Sequence, residues 1–392
     1  MEFIDLKEQY RRIKPLVKRR LDTVLEHGRF IMGPEVRELE ERLEALTGAK
    51  HCLTCGSGTM ALELFLLSRG VGPGDAVFTT PFTFIATAEC IARTGAVPVF
   101  IDIRFEDFNL NADALERAFE AVAKGKSDLH PLPKQAVEQR LRPKGIITVD
   151  LFGHPAAYDG IIPFAREHGL FVFEDAAQSF GGRYKDKALC ACGCDAAAAS
   201  FFPAKPLGCY GDGGALFTDD DASAALLDSL RYHGRIGPQD KYNNIRLGTN
   251  GRMDTMQAAV LLAKLEIFEE EVALRQKVAA SYGALLSGIP GLVPHAPPKD
   301  GLSAWAQYTV LLPEGADRAV VAGRLKEAGI PTTINYPKPL HRQGAFSYLE
   351  YAEDAFPIAL EASRRVLSLP MHPYLDEKAQ EFIAGTLKAA LA

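Results

Sequence analysis

Between residues 76 and 233 the chain alternates two patterns. Short runs that are apolar at nearly every position are followed by longer stretches whose apolar residues recur at helical spacing. Residues 76–80, 97–102, 145–150, 170–175, 196–201 and 214–218 read as strands. Residues 84–94, 158–168 and 222–233 read as helices. Strands without a polar face belong to sheets covered on both sides, and their alternation with helices predicts an α/β fold with a mostly parallel sheet. Ahead of this region the stretch to Leu46 reads as helical, punctuated by Pro15 and by Met32-Gly33-Pro34. The turn Cys55-Gly56-Ser57-Gly58-Thr59 opens an apolar helix over residues 60–67, which Gly72-Pro73-Gly74-Asp75 ends.

From Asp254 the pattern changes. Met256, Val260, Ala263 and Ile267 recur at helical spacing in a segment reaching about Leu285, with Asp254 where an N-cap belongs. A Pro- and Gly-rich stretch, 289–301, follows. Residues 306–312 then read as a strand and 318–328 as a helix. The organisation expected is a large domain over 1–253 with an N-terminal helical segment, a long connecting helix over 254–285, and a smaller C-terminal α+β domain over 286–392. The polar stretch 123–143 reads as a surface loop or an extra helical turn.

Composition narrows the classes. The 392 residues are 47% hydrophobic and 24% charged, an ordinary globular balance. The formal net charge of -6, with no basic block, argues against nucleic acid or a membrane surface as the partner. No apolar run is long enough to span a bilayer and Met1-Glu2-Phe3-Ile4-Asp5 has no signal pattern, so the expected location is the cytoplasm. Seven cysteines lie between Cys52 and Cys209. They read as reduced thiols. The run Cys190, Cys192 and Cys194 lacks the spacing of common zinc sites and no His-x-His or second C-x-x-C follows it, so no metal is expected; Cys52-Leu53-Thr54-Cys55 matches C-x-x-C ahead of a Gly-rich turn, where a redox role is the minority reading.

Three features carry candidate chemistry. Strand 170–175 ends in Glu174-Asp175-Ala176-Ala177-Gln178, an acid at the edge where α/β sheets bind ligands, or else a helix cap. Lys205 follows a strand end and sits among Pro203, Pro206, Gly208 and Gly211, placed so that burial can lower its pKa and free the amine for a Schiff base; singly, a surface lysine is the plainer reading. Gly56-Ser57-Gly58-Thr59 at a helix N-terminus can hold an anion, or be no more than a tight turn. A phosphate cradle, a carboxylate and a lysine, each at an element end, are together what pyridoxal 5'-phosphate (PLP) requires.

These stretches, with Pro81-Phe82-Thr83-Phe84-Ile85-Ala86-Thr87, Ser200 through Gly214, Gly248 through Asp254 and Ser368-Leu369-Pro370-Met371-His372, resemble the DegT/DnrJ/EryC1/StrS family of sugar aminotransferases over nearly the whole chain. The resemblance implies the PLP-dependent transferase fold of type I and gives the residues roles. Lys205 would bind PLP and shuttle the proton. Asp175 would pair with the pyridinium nitrogen, Gln178 would meet the ring hydroxyl, and Phe82 would stack on the ring. Ser57, Gly58, Thr59 and Ser200 would hold the phosphate. Asn250 would reach it from the neighbouring subunit, which implies a homodimer with shared active sites. Glutamate, giving 2-oxoglutarate, would be the donor and a nucleotide-linked keto-sugar the acceptor.

Within the family the wording is most like enzymes that aminate C3 of UDP-2-acetamido-2-deoxy-3-oxo-glucuronic acid for bacterial O-antigen sugars. Arg252 would then bind the substrate carboxylate, or instead make a structural salt bridge. Asn335 and Tyr336 would border the sugar, although close relatives have His-Tyr where this chain has Asn335-Tyr336. His233 and His341 could line the site or be exposed or structurally bonded. Other UDP- or dTDP-keto-hexoses, aminated at C3 or C4, are alternative substrates. Related dehydratases replace the lysine by histidine, which Lys205 argues against. A non-catalytic regulator on the same fold would lack turnover, and no appended DNA-binding segment is visible.

Overall fold

The computed structural model describes residues 1–236 and 242–392. Two helices lead the chain, α1 (Leu6–His27) and α2 (Pro34–Thr47). Asp5 caps α1 by accepting the Glu8 N–H, and Gly28 ends it at φ 68°. Pro15 lies inside α1 rather than dividing it. Gly33-Pro34 starts α2, where proline's missing N–H costs nothing.

The strands are β1 (His51–Cys55), β2 (Asp75–Thr79), β3 (Val97–Phe100), β4 (Arg142–Val149), β5 (Phe171–Asp175), the short hairpin β6 (Arg183–Tyr184) and β7 (Lys187–Ala188), then β8 (Ala196–Ser200) and β9 (Gly214–Thr218). Seven of these form one sheet in the order β1-β9-β8-β5-β4-β2-β3. All run parallel except β9, which pairs antiparallel with both β1 and β8. The carboxyl ends of β1, β8, β5, β4 and β2 therefore share one edge. Strand β1 escapes the sequence reading because five residues with polar His51 and Thr54 carry no clear period.

Helices cover both faces. They are α3 (Gly58–Ser68), α4 (Ala86–Arg93), α5 (Leu115–Lys124), α6 (Lys134–Glu138), α7 (Tyr158–Glu167) and α8 (Asp221–Leu230). Ala76, Phe78, Ile146 and Val172 pack with Ala118 and Ile161 on one face. Val77, Ile147, Phe171 and Phe173 pack with Leu62, Phe65 and Leu227 on the other. That alternation is the period of two expected of strands. The polar stretch 123–143 contains α6 and is pinned by His130, whose Nε2 lies 2.7 Å from the Phe100 carbonyl oxygen.

The helix α9 (Thr255–Leu286) has 32 residues. Its start packs with α2 and the ends of β8 and β9, through Ala258 and Leu261. Its end, through Val278, Tyr282 and Leu286, joins a separate core with Tyr308, Leu367 and Leu387. That second core is built on an antiparallel sheet of β10 (Val293–Pro294), β12 (Tyr308–Leu311) and β13 (Val366–Leu369), with β11 (Gly301–Leu302) paired instead to β6. The helices α10 (Arg318–Glu327), α11 (Pro357–Arg365) and α12 (Glu377–Leu391) complete the chain. Among the described residues no helix is long and apolar enough to cross a membrane.

Gly145 of β4 is paired with Phe171 of β5, and a Cβ placed on it would lie 2.4 Å from three atoms of the Phe171 ring. Gly145→Ala should therefore lower stability by about 1–3 kcal/mol, the usual cost of overpacking. Thermal denaturation followed by circular dichroism checks this. An unchanged midpoint would mean that the ring can move aside freely.

Candidate active site

Strand β1 ends at Cys55 and the chain turns through Gly56 into α3. Ser57 caps that helix, its Oγ accepting the Met60 N–H at 3.0 Å. The turn is pressed against the neighbouring strands. A Cβ on Gly58 would lie 2.9 Å from Ser200 Cβ, and one on Gly214 would lie 2.4 Å from the Ser57 carbonyl carbon. Only glycine allows that approach. The Gly58 and Thr59 N–H groups belong to the helix's unpaired first turn, at the positive end of its dipole, beside Ser200. The four residues Ser57, Gly58, Thr59 and Ser200 can thus hold a phosphate.

Asp175 closes β5 on the same edge and is 6% exposed. Thr87 of α4 donates its hydroxyl to Oδ2 at 2.8 Å, and the Ala177 N–H donates to Oδ1 at 3.2 Å. Burial raises the carboxyl pKa; these two donors and the Lys205 charge oppose it. Lys205 stands on the turn after β8, where its N–H donates to the Phe202 carbonyl at 2.9 Å. A Cβ on Gly208 would lie 2.4 Å from the Pro203 carbonyl oxygen, so this turn is also tightly wound. Part of Lys205 remains open to solvent, but the protein atoms around its amine desolvate it and lower its pKa to about 8, with Asp175 pulling the other way. Among the described residues that ammonium has no hydrogen bond or ion pair. A desolvated amine without a partner, facing a carboxylate beside an anion cradle, fits a carbonyl cofactor that carries a phosphate.

Gln178 lies behind this group. Its Oε1 accepts the Phe152 N–H at 2.9 Å and its Nε2 donates to the Tyr336 hydroxyl at 3.1 Å, leaving one amide hydrogen for a ligand. The structure corrects the role expected of Phe82. That ring is 0% exposed and packs against Phe108 and Tyr336 at 6.1 and 6.0 Å, so it has no free face to stack on a ligand. Phe84 is the open ring on the same turn, 56% exposed, its carbonyl accepting the Thr87 N–H. Two phenylalanines two residues apart are indistinguishable in sequence; burial separates them. Asn335 is partly buried, its Nδ2 donating to Gln307 Oε1 at 2.6 Å and to Thr333 Oγ1 at 3.2 Å.

The strip Gly248–Asp254 folds back on residues 230–233 through Thr249 N–H to Leu230 O, His233 N–H to Thr249 O and Gly251 N–H to Arg231 O. The Gly56 N–H then donates to Gly251 O at 3.0 Å, so the strip touches the anion turn. Asn250 is exposed. The guanidinium of Arg252 lies 5.5 Å from the Tyr232 ring centroid. Its Nε is buried without a hydrogen bond, and no salt bridge holds the group among the described residues. The structural pairing considered for Arg252 is therefore not seen. Arg252 lines a pocket of about 520 Å³ with His233, Arg235 and Arg246; Lys205 and Asp175 are not in that lining. His341 is buried instead, its Nε2 3.3 Å from the Glu353 carbonyl oxygen. Cys190 and Cys192 are buried, which pushes both thiols well up.

Residues 12–388 match the DegT/DnrJ/EryC1/StrS aminotransferase family. A UDP-2-acetamido-2-deoxy-3-oxo-D-glucuronate aminotransferase of Pseudomonas aeruginosa is 45% identical over 387 residues, 99% of each chain. A pleiotropic regulatory protein of Geobacillus stearothermophilus is 41% identical, over 97% of this chain and 95% of its own. The crystal structure of a DegT DnrJ EryC1 StrS aminotransferase from Brucella abortus superposes with a TM-score of 0.90 at 43% identity, covering 99% of both chains.

The lysine environment is testable without any ligand. Reductive methylation across a pH series, read by mass spectrometry, should give Lys205 a midpoint near 8 rather than the usual 10.5. Asp175→Asn removes the charge that favours the ammonium, so the midpoint should fall further. An ordinary lysine midpoint, or a rise in the variant, would contradict the desolvated site.

Proposed function

The chain belongs to the DegT/DnrJ/EryC1/StrS aminotransferase family, and we propose that it is a PLP-dependent enzyme that moves an amino group onto a nucleotide-linked keto-sugar. The observation that carries this reading is the meeting of Lys205, Asp175 and the Ser57–Thr59 turn at one edge of the sheet. When bound, PLP supplies an aromatic ring that withdraws electrons from the reacting carbon. The chain's own residues do the rest. Ser57, Gly58, Thr59 and Ser200 bind the phosphate. Asp175 holds a proton on the pyridine nitrogen. Phe84, rather than Phe82, offers a face to the ring, and Gln178, backed by Tyr336, turns its remaining N–H toward the ring hydroxyl. Lys205 Nζ would hold the cofactor carbonyl at rest, with loss of water, and once an incoming amine displaces it, its free Nζ would move a proton between the substrate carbon that bears the nitrogen and the former carbonyl carbon of the cofactor. A pKa of about 8 suits both directions.

Glutamate is the proposed donor, leaving as 2-oxoglutarate. The acceptor we favour is UDP-2-acetamido-2-deoxy-3-oxo-glucuronic acid, aminated at C3. Its support is the Pseudomonas relative and the guanidinium of Arg252, which has no salt bridge among the described residues and whose planar fork matches a carboxylate. An O-antigen role follows from that substrate. Asn250 faces outward on a segment with exposed Ile236, Ile245 and Leu247, which fits a second copy of the chain and a site completed across a homodimer. Seven unpaired cysteines, six of them buried, fit the reducing cytoplasm. The Geobacillus relative carries a regulator's name, but a desolvated lysine facing a buried carboxylate favours turnover here.

Incubation with glutamate and UDP- or dTDP-keto-sugars, with mass spectrometry of the product, tests the reading. Lys205→Ala should abolish transfer while the fold survives. Asp175→Asn should keep PLP bound and slow a single turnover about a hundredfold or more. Turnover by Lys205→Ala would remove the assignment.

Arg252 decides the substrate charge. A charge-assisted hydrogen bond is worth roughly 1.5–3 kcal/mol, so Arg252→Ala should lower kcat/KM for the acidic sugar about ten- to a hundredfold. A neutral analogue should suffer much less, and Arg252→Lys should fall between. Equal losses on acidic and neutral sugars would end the uronate reading and leave the aminotransferase intact.

A further inference from the structure

Arg231 follows α8 and is 4% exposed, yet none of the roles above uses it. Its guanidinium is fully engaged. Nη1 donates to Glu40 Oε1 of α2 at 2.6 Å and to the Thr54 carbonyl of β1 at 2.7 Å, while Nε donates to Asp228 Oδ1 at 2.8 Å. Glu40 Oε1 also accepts the Thr54 N–H and hydroxyl, at 2.8 and 2.9 Å. The end of β1, two residues before the anion turn, is therefore held by one arginine–glutamate knot.

The backbone of the same arginine holds the other side of the site. The Arg231 carbonyl accepts the Gly251 N–H at 3.0 Å, and the Gly251 carbonyl accepts the Gly56 N–H at 3.0 Å. A closed ring results: Arg231 guanidinium to Thr54, along the chain to Gly56, across to Gly251, and back to the Arg231 carbonyl. Gly251 is also seated on α3, where a Cβ would come 3.2 Å from Met60 and 3.3 Å from Leu64. The Ser57–Thr59 turn and the strip carrying Asn250 and Arg252 are thus set against each other by one buried side chain.

We propose that Arg231 is the positioning residue of the phosphate grip, fixing the anion turn through Thr54 and the Asn250 strip through Gly251 without touching the ligand itself. Lysine cannot replace it. A single ammonium on a flexible stem cannot reach Glu40, Thr54 and Asp228 together, whereas the planar fork does. Loosening the knot should blunt recognition of the phosphate and leave the carbonyl chemistry of Lys205 intact.

The proposal rests on the PLP reading, and the experiment separates the two. The full-length protein, stripped of cofactor, is titrated with PLP and with pyridoxal, which has the same ring and aldehyde but no phosphate. Binding is followed by the absorbance of the lysine-bound chromophore, and folding by circular dichroism. In Arg231→Lys, affinity for PLP should fall about ten- to a hundredfold, as expected for lost charge-assisted bonds, while affinity for pyridoxal stays within about threefold. Glu40→Gln keeps the acceptor but not its charge. It should show a smaller loss with the same bias toward PLP, and it carries the test if Arg231→Lys does not fold. Equal losses for the two ligands would reduce Arg231 to a structural role and overturn the proposal, as would no loss for either. A wild-type protein that binds neither ligand would overturn the cofactor assignment, and this proposal with it.

Discussion

One buried carboxylate governs the site. Asp175 lies at the end of a central strand with little water around it, and burial alone would favour its protonated form. The Thr87 hydroxyl, the Ala177 N–H and the Lys205 charge all favour the ionised form. Each comes from a different place: α4, the turn after β5, and the turn after β8. Those elements therefore converge on a single charge. The reciprocal effect falls on Lys205, which loses affinity for its proton through desolvation and regains part of it from Asp175. The pair is held apart in role by environment rather than by residue type.

The sheet makes that meeting possible. Parallel strands bring their carboxyl ends to one edge, and loops from that edge converge on a ligand. Here β9 runs the other way between β8 and β1, so its amino end, Gly214, enters at the ligand edge. Gly214 lies against the Ser57 backbone and Gly58 against Ser200. A side chain at either glycine would push the anion turn off the sheet and away from Lys205. The tight packing beneath the turn and the open N–H groups above it are one feature.

Much of this was legible because the chemistry sits at element ends that punctuation marks. Strands 145–150, 170–175 and 214–218 are apolar on both faces, glycines mark the phosphate turn from within, and Pro206 follows the lysine. What escaped was information held in tertiary contacts. The sequence does not show that β9 is antiparallel, because a strand apolar on both faces reads the same in either direction. It cannot rank Phe82 against Phe84, since only the burial against Phe108 and Tyr336 removes Phe82 from the site. Arg231 looks like a surface charge at a helix end. Its partners Glu40 and Thr54 are 191 and 177 residues away. Asp254 shows the opposite error: it occupies the N-cap position of α9, yet its side chain makes no capping bond.

Glu174, the neighbour of Asp175, meets the opposite fate, and the contrast explains how Asp175 can keep its charge. Strand alternation turns Glu174 to the other side of β5, beside Asp150. Both are 0% exposed. Asp150 accepts from the Ala156 N–H, the Tyr158 hydroxyl and the Ser179 hydroxyl, at 2.8, 2.7 and 3.0 Å. Among the described residues Glu174 has the Cys190 N–H alone, at 2.7 Å on Oε1, and Oε2 is buried without a hydrogen-bond partner. Burial pushes both carboxyls up, and Asp150 pushes Glu174 further. Two carboxyls so close and so dry oppose each other's ionisation, and the stronger push toward the neutral form falls on Glu174, whose Oε2 has no hydrogen-bond partner among the described residues. A charged Glu174 would repel the charge on Asp175 one residue away. Pushing Glu174 toward its neutral form lessens that repulsion at its source. The strand end thus sorts two adjacent acids by face, one pressed toward neutrality in the interior and one given donors that favour its charge at the ligand edge.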